Sequence, residues 1–247
     1  MPHKKEAWKD EMYGDEVRAK IEEFAEKGWD AIPEEERDEW FSRFKFWGVF
    51  HHRGGQESYF MMRLTNCGGV LEPDQLRAIG EVARDYAKGP VENPEFGNGW
   101  IDFTTRQSIQ LHWLKLEDIP EIWEKLEAVG VSSRSAGGDT MRNISGCPVA
   151  GKAEEYVESR ELLDEIQAEI RGDDDLCNMP RKFNISVTGC RQGCAQDSIN
   201  DIGLEPAHKF IDGEEVKGFN VRVGGGLGGR EPREARPLDL FVTRDQA

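Results

Sequence analysis

Four cations stand among apolar residues of the kind that form β-strands. Arg63 follows the run YFMM, Arg106 separates two short apolar segments, and Arg142 precedes NISGCP. Lys182 opens the run KFNISV. A cation on a buried strand is costly unless a partner neutralises it, so the set predicts a shared anionic ligand bound by paired hydrogen bonds and a compact ammonium charge. The alternative is that each arginine pairs with one of the 48 acidic side chains.

The cysteines offer a second type of chemistry. Five is an odd number in a chain too large for a disulfide scaffold, so thiols or metal ligands are expected rather than structural bridges. Cys190 and Cys194 are four residues apart, and on a helical turn their sulfur atoms would share a face. Together with Cys147 and Cys177 they could form an iron–sulfur electron carrier. The alternative is that they are buried thiols.

The histidines give no metal signal. His51, His52 and His112 match no metal-binding spacing, and His112 lies in a predicted strand, so it is expected to be a packed core imidazole. The glycines at 224–229 lack the GK[ST] ending of a phosphate-binding loop. The tryptophans expected in the core are Trp47, Trp100 and Trp113.

Composition limits the classes of protein. The 247 residues are enough for one large or two ordinary domains. No apolar run approaches the roughly 20 residues of a membrane span, and the start lacks the apolar stretch of a secretory signal, so a cytoplasmic protein with no membrane contact is expected. The net charge of −16 opposes nucleic-acid binding. The acidity also fits a halophilic protein, kept soluble in concentrated salt.

Apolar periodicity predicts α+β structure. Residues 1–45 are charged and helical, and form a peripheral lead-in. A strand at YFMMRLT, expected to be buried on both faces, precedes a helix from about Pro73 to Gly89, two short strands and a second helix. This order favours a ferredoxin-like unit over residues 46–131. The predicted apolar stripes are Leu76, Ile79, Ala83 and Tyr86 in the first helix, and Ile119, Ile122, Trp123 and Leu126 in the second.

A Gly/Ser-rich passage near 132 indicates a domain boundary, with a second α+β domain over 132–247. A helix is predicted from about Glu154 to Arg171. In the strand KFNISV, alternation places Lys182 and Asn184 on the same face.

Six segments, in order, resemble the amino-terminal half of ferredoxin-dependent nitrite and sulfite reductases. They are YFMMR (59–63), TTRQSIQLH (104–112), DTMRNISGCPVAG (139–151), MPRKFNISVTGC (179–190), INDIGLEP (199–206) and GFNVRVGGGLGG (218–229). The resemblance extends from about Phe46 to the last residue. It implies a ferredoxin-like half-domain followed by the first siroheme-binding α+β domain, here a truncated first repeat.

The resemblance also implies roles for the cations. Arg63, Arg142 and Lys182 would line the distal face of siroheme, where the substrate oxyanion binds. Asn184 stands where sulfite-reducing relatives have a second lysine and nitrite-reducing relatives have asparagine. Sulfite carries up to two negative charges and nitrite one, so a less positive site suits nitrite. The implied cofactor-binding residues are Arg106, Gln107, Thr105, Asn143 and Arg181.

The same family has a [4Fe-4S] cluster held in its second half by CxxxxxC followed by CxxxC. Ala153 stands six residues after Cys147, so the first element is absent, and Cys190 with Cys194 is expected to be a counterpart without metal. The implied activity is assimilatory, six-electron reduction of nitrite to ammonium with ferredoxin as donor. The chain would be incomplete without its carboxy-terminal half. The alternatives are a sulfite reductase of this family and a non-catalytic siroheme-binding module.

Overall fold

A computed structural model of the chain describes residues 8–52, 58–90, 94, 97–99, 101–228 and 231–247. The chain divides into two compact units. The first unit comprises Met1–Asn66, Leu71–Thr140 and Asp173–Lys182, and the second comprises Cys67–Val70, Met141–Gly172 and Phe183–Ala247. The chain passes from the first unit to the second between Thr140 and Met141, close to the predicted boundary near 132. Residues 173–182, which were predicted to lie in the second domain, belong to the first unit. No helix in the described ranges combines the length and apolar character needed to cross a membrane.

A four-stranded antiparallel sheet in the order β1-β2-β4-β3 forms the centre of the first unit. Its strands are β1 (Val49–His51), β2 (Tyr59–Leu64), β3 (Ile101–Phe103) and β4 (Ile109–Lys115). Side chains of β2 alternate between half-buried and fully buried. The expectation that β2 is buried on both faces is therefore wrong. The face opposite the apolar core, which carries the half-buried Arg63, Gln110 and His112, is called the open face below.

Helices supply the rest of the first unit's core. They are α1 (Trp8–Glu11), α2 (Asp15–Lys27), α3 (Arg37–Phe44), α4 (Pro73–Tyr86) and α5 (Ile119–Glu127). The predicted stripe of α5 is confirmed, since all four of its residues are buried. In α4 the buried residues are Ile79 and Val82, whereas Leu76 is 49% exposed, so the buried face is rotated from the predicted stripe.

The helical lead-in is more than peripheral. Val17, Ile21 and Phe24 of α2 are buried and belong to the same core cluster as the sheet residues. Phe24 also packs edge-on against Trp40 of α3, with ring centroids 5.1 Å apart. The prediction of helices is confirmed, but an amphipathic helix in such a charged segment contributes to the core through its single apolar stripe.

The second unit contains a five-stranded sheet in the order β5-β6-β7-β8-β9. The strands β5 to β7 run parallel to one another, and β7 to β9 are antiparallel. The strands are β5 (Ser145–Gly146), β6 (Ile185–Val187), β7 (Ile202–Ile211), β8 (Glu214–Val223) and β9 (Arg236–Thr243), and the helix is α6 (Arg160–Gly172). The helix begins at Arg160 rather than Glu154. The strand β6 begins only at Ile185, so strand alternation does not place Lys182 and Asn184 on one face.

Of the aromatic side chains predicted to lie in the core, some are buried there and others are not. Trp47 is 4% exposed and lies in the core. Trp113 and His112 are half-buried and lie on the open face rather than in the core. Trp100 and Gly229 lie outside the described residues.

Replacing Trp123 with alanine tests the core of the first unit. Trp123 is 1% exposed, and its Nε1 donates to Ser133 Oγ at 2.8 Å. We expect the free energy of unfolding to fall by about 3–5 kcal/mol, measured by urea denaturation, because a large buried ring is lost. Leu76→Ala is the control, with an expected change within about 0.5 kcal/mol because Leu76 is exposed. Equal losses in the two variants would contradict the packing described for α4 and α5.

Candidate functional site

Arg63 lies on the open face and is surrounded by neutral partners. Its Nη1 donates to Ala136 O at 3.3 Å. With the Gln110 amide oriented to satisfy its neighbours, Arg63 Nη2 and Nε donate to Gln110 Oε1 at 2.9 and 3.1 Å. The guanidinium carbon lies 4.6 Å from the centroid of the Phe50 ring. Within the described part of the chain, no carboxylate contacts this guanidinium.

Among the described residues, this environment gives Arg63 no compensating charge. Burial lowers the pKa of the Arg63 guanidinium, because desolvation disfavours the charged form. The group nonetheless remains protonated, since the pKa of an arginine stays far above neutral pH. A desolvated cation with neutral neighbours gains from an anion placed beside it. The alternative interpretation, in which Arg63 pairs with a local carboxylate, therefore has no support among the described residues.

Close backbone contacts fix the position of Arg63. Its N–H donates to Gly48 O at 2.8 Å. Gly48 has φ +66°, and a Cβ there would lie 2.4 Å from Arg63 O, so only glycine fits at this crossing. A Cβ on Gly137 would lie 2.4 Å from Lys45 O. These two glycines hold β1 and the segment containing Ala136 against the strand that carries Arg63.

Arg106 and Gln107 occupy the tip of the hairpin between β3 and β4. Gln107 N donates to Thr104 O at 2.8 Å, and Thr104 N donates to Ser108 O at 2.9 Å. Gln107 has φ +60°, the left-handed conformation that completes this type of hairpin turn. The turn leaves Thr105 exposed beside the half-buried Arg106. Three predicted cofactor-binding residues therefore lie together at one end of the first unit's sheet.

Arg142 and Asn184 lie on neighbouring segments of the second unit. Arg142 N donates to Phe183 O at 2.9 Å, just before the parallel strands β5 and β6 begin. Asn184 donates to Asp201 Oδ2 from its backbone N at 2.8 Å and from its side-chain Nδ2 at 3.1 Å. Asn143 is 3% exposed. The second unit thus places these three residues at one edge of its sheet, with Asn184 held by a carboxylate.

Lys182 and Arg181 belong to the first unit and differ in their partners. Lys182 is exposed and makes no ion pair within the described ranges. Arg181 Nη1 lies 3.3 Å from Asp139 Oδ2, and Asp139 also pairs with Lys9. Arg181 therefore has a local acidic partner, which favours the salt-bridge interpretation for this residue.

Three cysteines occur near the carboxyl edge of β5 and β6. Cys147 follows β5 directly, Cys190 comes shortly after β6, and Cys194 is exposed. Burial is the main factor that raises the pKa of the Cys147 thiol, and the nearby Cys190, Glu155 and Cys194 raise it further. Among the residues that the structure describes, no group of three or more His, Cys, Asp or Glu side chains is placed to hold a metal ion.

The glycine segment after β8 is fixed by backbone contacts. The N–H groups of Gly224, Gly225 and Gly226 each donate to a backbone carbonyl at 2.9 Å. A Cβ on Gly225 would lie 2.7 Å from Asn200 O, so packing alone requires this glycine. Because these three donors are already used, Gly224, Gly225 and Gly226 do not offer their N–H groups to a phosphate.

Sequence reasoning missed two residues that position the site. Gln110 accepts from Arg63, and Asp201 accepts from Asn184. Strand alternation in IQLHWL could have placed Gln110 opposite the apolar core, and Asp201 lies in the quoted segment INDIGLEP. Neither partner is visible from spacing along the chain, because both contacts depend on the pairing of distant segments.

Comparisons with known proteins match both units. Residues 52–92 and 94–129 match the "Nitrite/Sulfite reductase ferredoxin-like half domain" family, and residues 137–247 match "Nitrite and sulphite reductase 4Fe-4S domain". The chain is 74% identical over 247 residues to the assimilatory ferredoxin-dependent nitrite reductase of Haloferax mediterranei, covering 100% of this chain and 42% of that protein. It is 39% identical over 245 residues to the ferredoxin–nitrite reductase of Leptolyngbya laminosa, covering 97% and 45% of the two chains.

A solved structure is also similar. The NirA protein of Mycobacterium tuberculosis superposes with a TM-score of 0.79 at 28% identity, covering 93% of this chain and 42% of that one. The predicted fold class, a ferredoxin-like half-domain followed by a second α+β domain, agrees with these matches. The chain spans less than half the length of each of these three proteins.

The thiols should differ strongly in reactivity. Cys67 Sγ donates to Leu163 O at 3.4 Å, and burial raises the pKa of Cys67 to about 11. At pH 8 only about one Cys67 thiol in a thousand is then ionised, so alkylation by iodoacetamide should be very slow there and rise about tenfold per pH unit. Mass spectrometry should find the exposed Cys194 modified first. Modification of Cys67 as fast as Cys194 in the folded protein would contradict this environment.

Proposed function

Since this chain belongs to the nitrite and sulfite reductase family, we propose that it forms the amino-terminal part of an assimilatory nitrite reductase. The observation that carries the proposal is the 74% identity, along the whole chain, to the nitrite reductase of Haloferax mediterranei. The proposed reaction is the six-electron reduction of nitrite to ammonium with ferredoxin as electron donor, in the cytoplasm. The neutral surroundings of Arg63 support it, because a singly charged oxyanion would supply the missing counter-charge.

The family implies siroheme and an iron–sulfur cluster, and the residues present suit an anionic macrocycle. Arg63 has a desolvated guanidinium with neutral neighbours, and Arg106 lies at an accessible hairpin tip. We propose that Arg106, Thr105, Gln107 and Asn143 bind the cofactor's carboxylates. When bound, siroheme would supply the iron that transfers electrons to the substrate.

Arg181 and the cysteines bear on how the two cofactors would be held. Arg181 pairs with Asp139 through Nη1, so it would bind a cofactor carboxylate through its other N–H groups. The cluster thiolates are proposed to come from outside this chain, because Ala153 occupies the position of the second cysteine in CxxxxxC.

The chain's own contribution is to manage charge and protons. Arg63, Arg142 and Lys182 would hold nitrite through charge-assisted hydrogen bonds. Their N–H groups would also stabilise the negative charge that develops on the oxygens as the nitrogen–oxygen bonds break. Asn184, held by Asp201, adds no charge to the site, which favours nitrite over the more highly charged sulfite.

Replacing Arg142 or Lys182 with alanine in the complete protein should lower kcat/KM for nitrite by about 100-fold, because each removes a preorganised donor to developing charge. Nitrite consumption and ammonium formation with reduced ferredoxin give the measurement. Lys88→Ala is the control, since Lys88 is an exposed lysine that is not among the proposed site residues. If the wild-type protein forms no ammonium, the proposed function itself is wrong. Wild-type rates in both variants would remove these two residues from the site.

Asn184→Lys tests substrate choice and distinguishes the sulfite reductase alternative. A lysine here would pair with Asp201, whose Oδ2 accepts from Asn184, so the charge would be partly neutralised. We therefore expect the ratio of kcat/KM for sulfite to that for nitrite to rise by about tenfold in the double variant Asn184→Lys/Asp201→Asn, and less in the single variant. An unchanged ratio in both variants would leave position 184 without a role in specificity.

A further inference from the structure

We infer that His52 and His112 form a binding site for a divalent transition metal ion, of the class that prefers imidazole ligands, on the open face of the first unit's sheet. His52 directly follows β1, and His112 lies on β4. His112 Nδ1 and His52 Nε2 face each other at 3.4 Å. The two residues are far apart in the sequence, so no spacing motif announces the pair.

The separation of the two nitrogens, which is at the long end for a hydrogen bond, also suits two ligands of one ion. Hydrogen bonds from N–H donors in proteins are typically about 2.9–3.0 Å long, so 3.4 Å is long for one. Two imidazole nitrogens bound to Zn²⁺ at about 2.0–2.1 Å with a tetrahedral angle lie about 3.3–3.4 Å apart. The ring centroids are 5.5 Å apart, close to the value of about 5.2 Å for the same arrangement. The pair therefore has the dimensions of two ligands around one ion.

Asp102 supplies the outer partner of one ligand. Its Oδ2 lies 2.8 Å from His112 Nε2, the nitrogen that points away from His52. A carboxylate in this position holds the proton on Nε2, so the lone pair is on Nδ1, on the side of His52, as in the carboxylate–histidine–metal arrangement. Asp102 is thus a positioning residue for His112.

A β-bulge and an aromatic stack fix the second ligand. Phe60 pairs with Leu114 and Met62 pairs with Leu111, so His112 and Trp113 together oppose a single residue of β2. Trp113 has φ +62°, a conformation that costs a side chain of this kind about 1–3 kcal/mol. The bulge puts the Trp113 ring on the open face, where it stacks on His52 with centroids 4.5 Å apart and planes 4° apart.

Two imidazoles leave the remaining coordination positions to water, since no third described side chain is placed to bind. Such a site binds Zn²⁺ more weakly than a structural site with four protein ligands. Its effect is to connect the end of β1 to β4 across the intervening β2. Occupancy therefore stabilises the folded state according to the zinc concentration.

Isothermal titration of the full chain with ZnCl₂ tests the site, in a Cys190→Ser/Cys194→Ser background that removes the half-buried and the exposed thiol as competing ligands. We expect one site in this parent protein, loss of that site in His52→Gln and in His112→Gln, and affinity about 10- to 100-fold weaker in Asp102→Asn. The control His208→Gln, which removes a histidine of the second unit, should bind as the parent does.

Equal zinc affinity in the parent and in both His52→Gln and His112→Gln would overturn the inference. So would the absence of binding by the parent up to about 1 mM Zn²⁺, which would leave the pair as hydrogen-bonded histidines only. The zinc-induced rise in Tm gives a second measurement, expected for the parent and absent in the histidine variants. If His112→Gln does not fold, His52→Gln carries the test, because His52 lies after the end of β1.

Discussion

A half-buried guanidinium whose partners among the described residues are all neutral is the constraint on which the candidate site depends. Burial on its strand desolvates Arg63, and its partners in the described part of the chain are a carbonyl, an amide and an aromatic ring. Each of these orients the cation, but none cancels its charge. The chain has 48 acidic side chains, yet none of those described pairs with this arginine. An external anion can therefore take the place of a carboxylate partner.

Both units position their polar residues where regular structure ends. In the first unit, Arg106 lies at a hairpin tip whose turn requires a left-handed residue. In the second, Arg142 and Asn184 come just before the parallel strands β5 and β6. At the ends of strands, turns and neighbouring segments supply the hydrogen bonds of the backbone in place of the β-sheet. Side chains at these ends can therefore bind a ligand without disturbing the packed core.

Sequence patterns predicted most of the fold because amphipathic periodicity reports burial directly. The stripe of α5 is confirmed for that reason, and the order of strands and helices from 59 to 127 follows it. The prediction for α4 missed the exposure of Leu76. An apolar stripe on a helix shows which side faces the protein, but it does not show which of its residues are covered by the core. The partners Gln110 and Asp201 were missed because they come from cross-strand and loop pairing, which a single sequence does not contain. The roles of the site residues themselves remain predictions.

The position of Trp113 on the open face, where the core was expected, has a single physical cause. Without a bulge, Trp113 would follow Leu111 into the core and Leu114 would point away from it. The extra residue on β4 reverses this, so Leu114 is fully buried and Trp113 reaches the open face. The strained conformation at Trp113 is thus stabilised by burying Leu114 and by the stack on His52. One inserted residue therefore keeps the core continuous and places the Trp113 ring against His52, whose Nε2 lies 3.4 Å from His112 Nδ1.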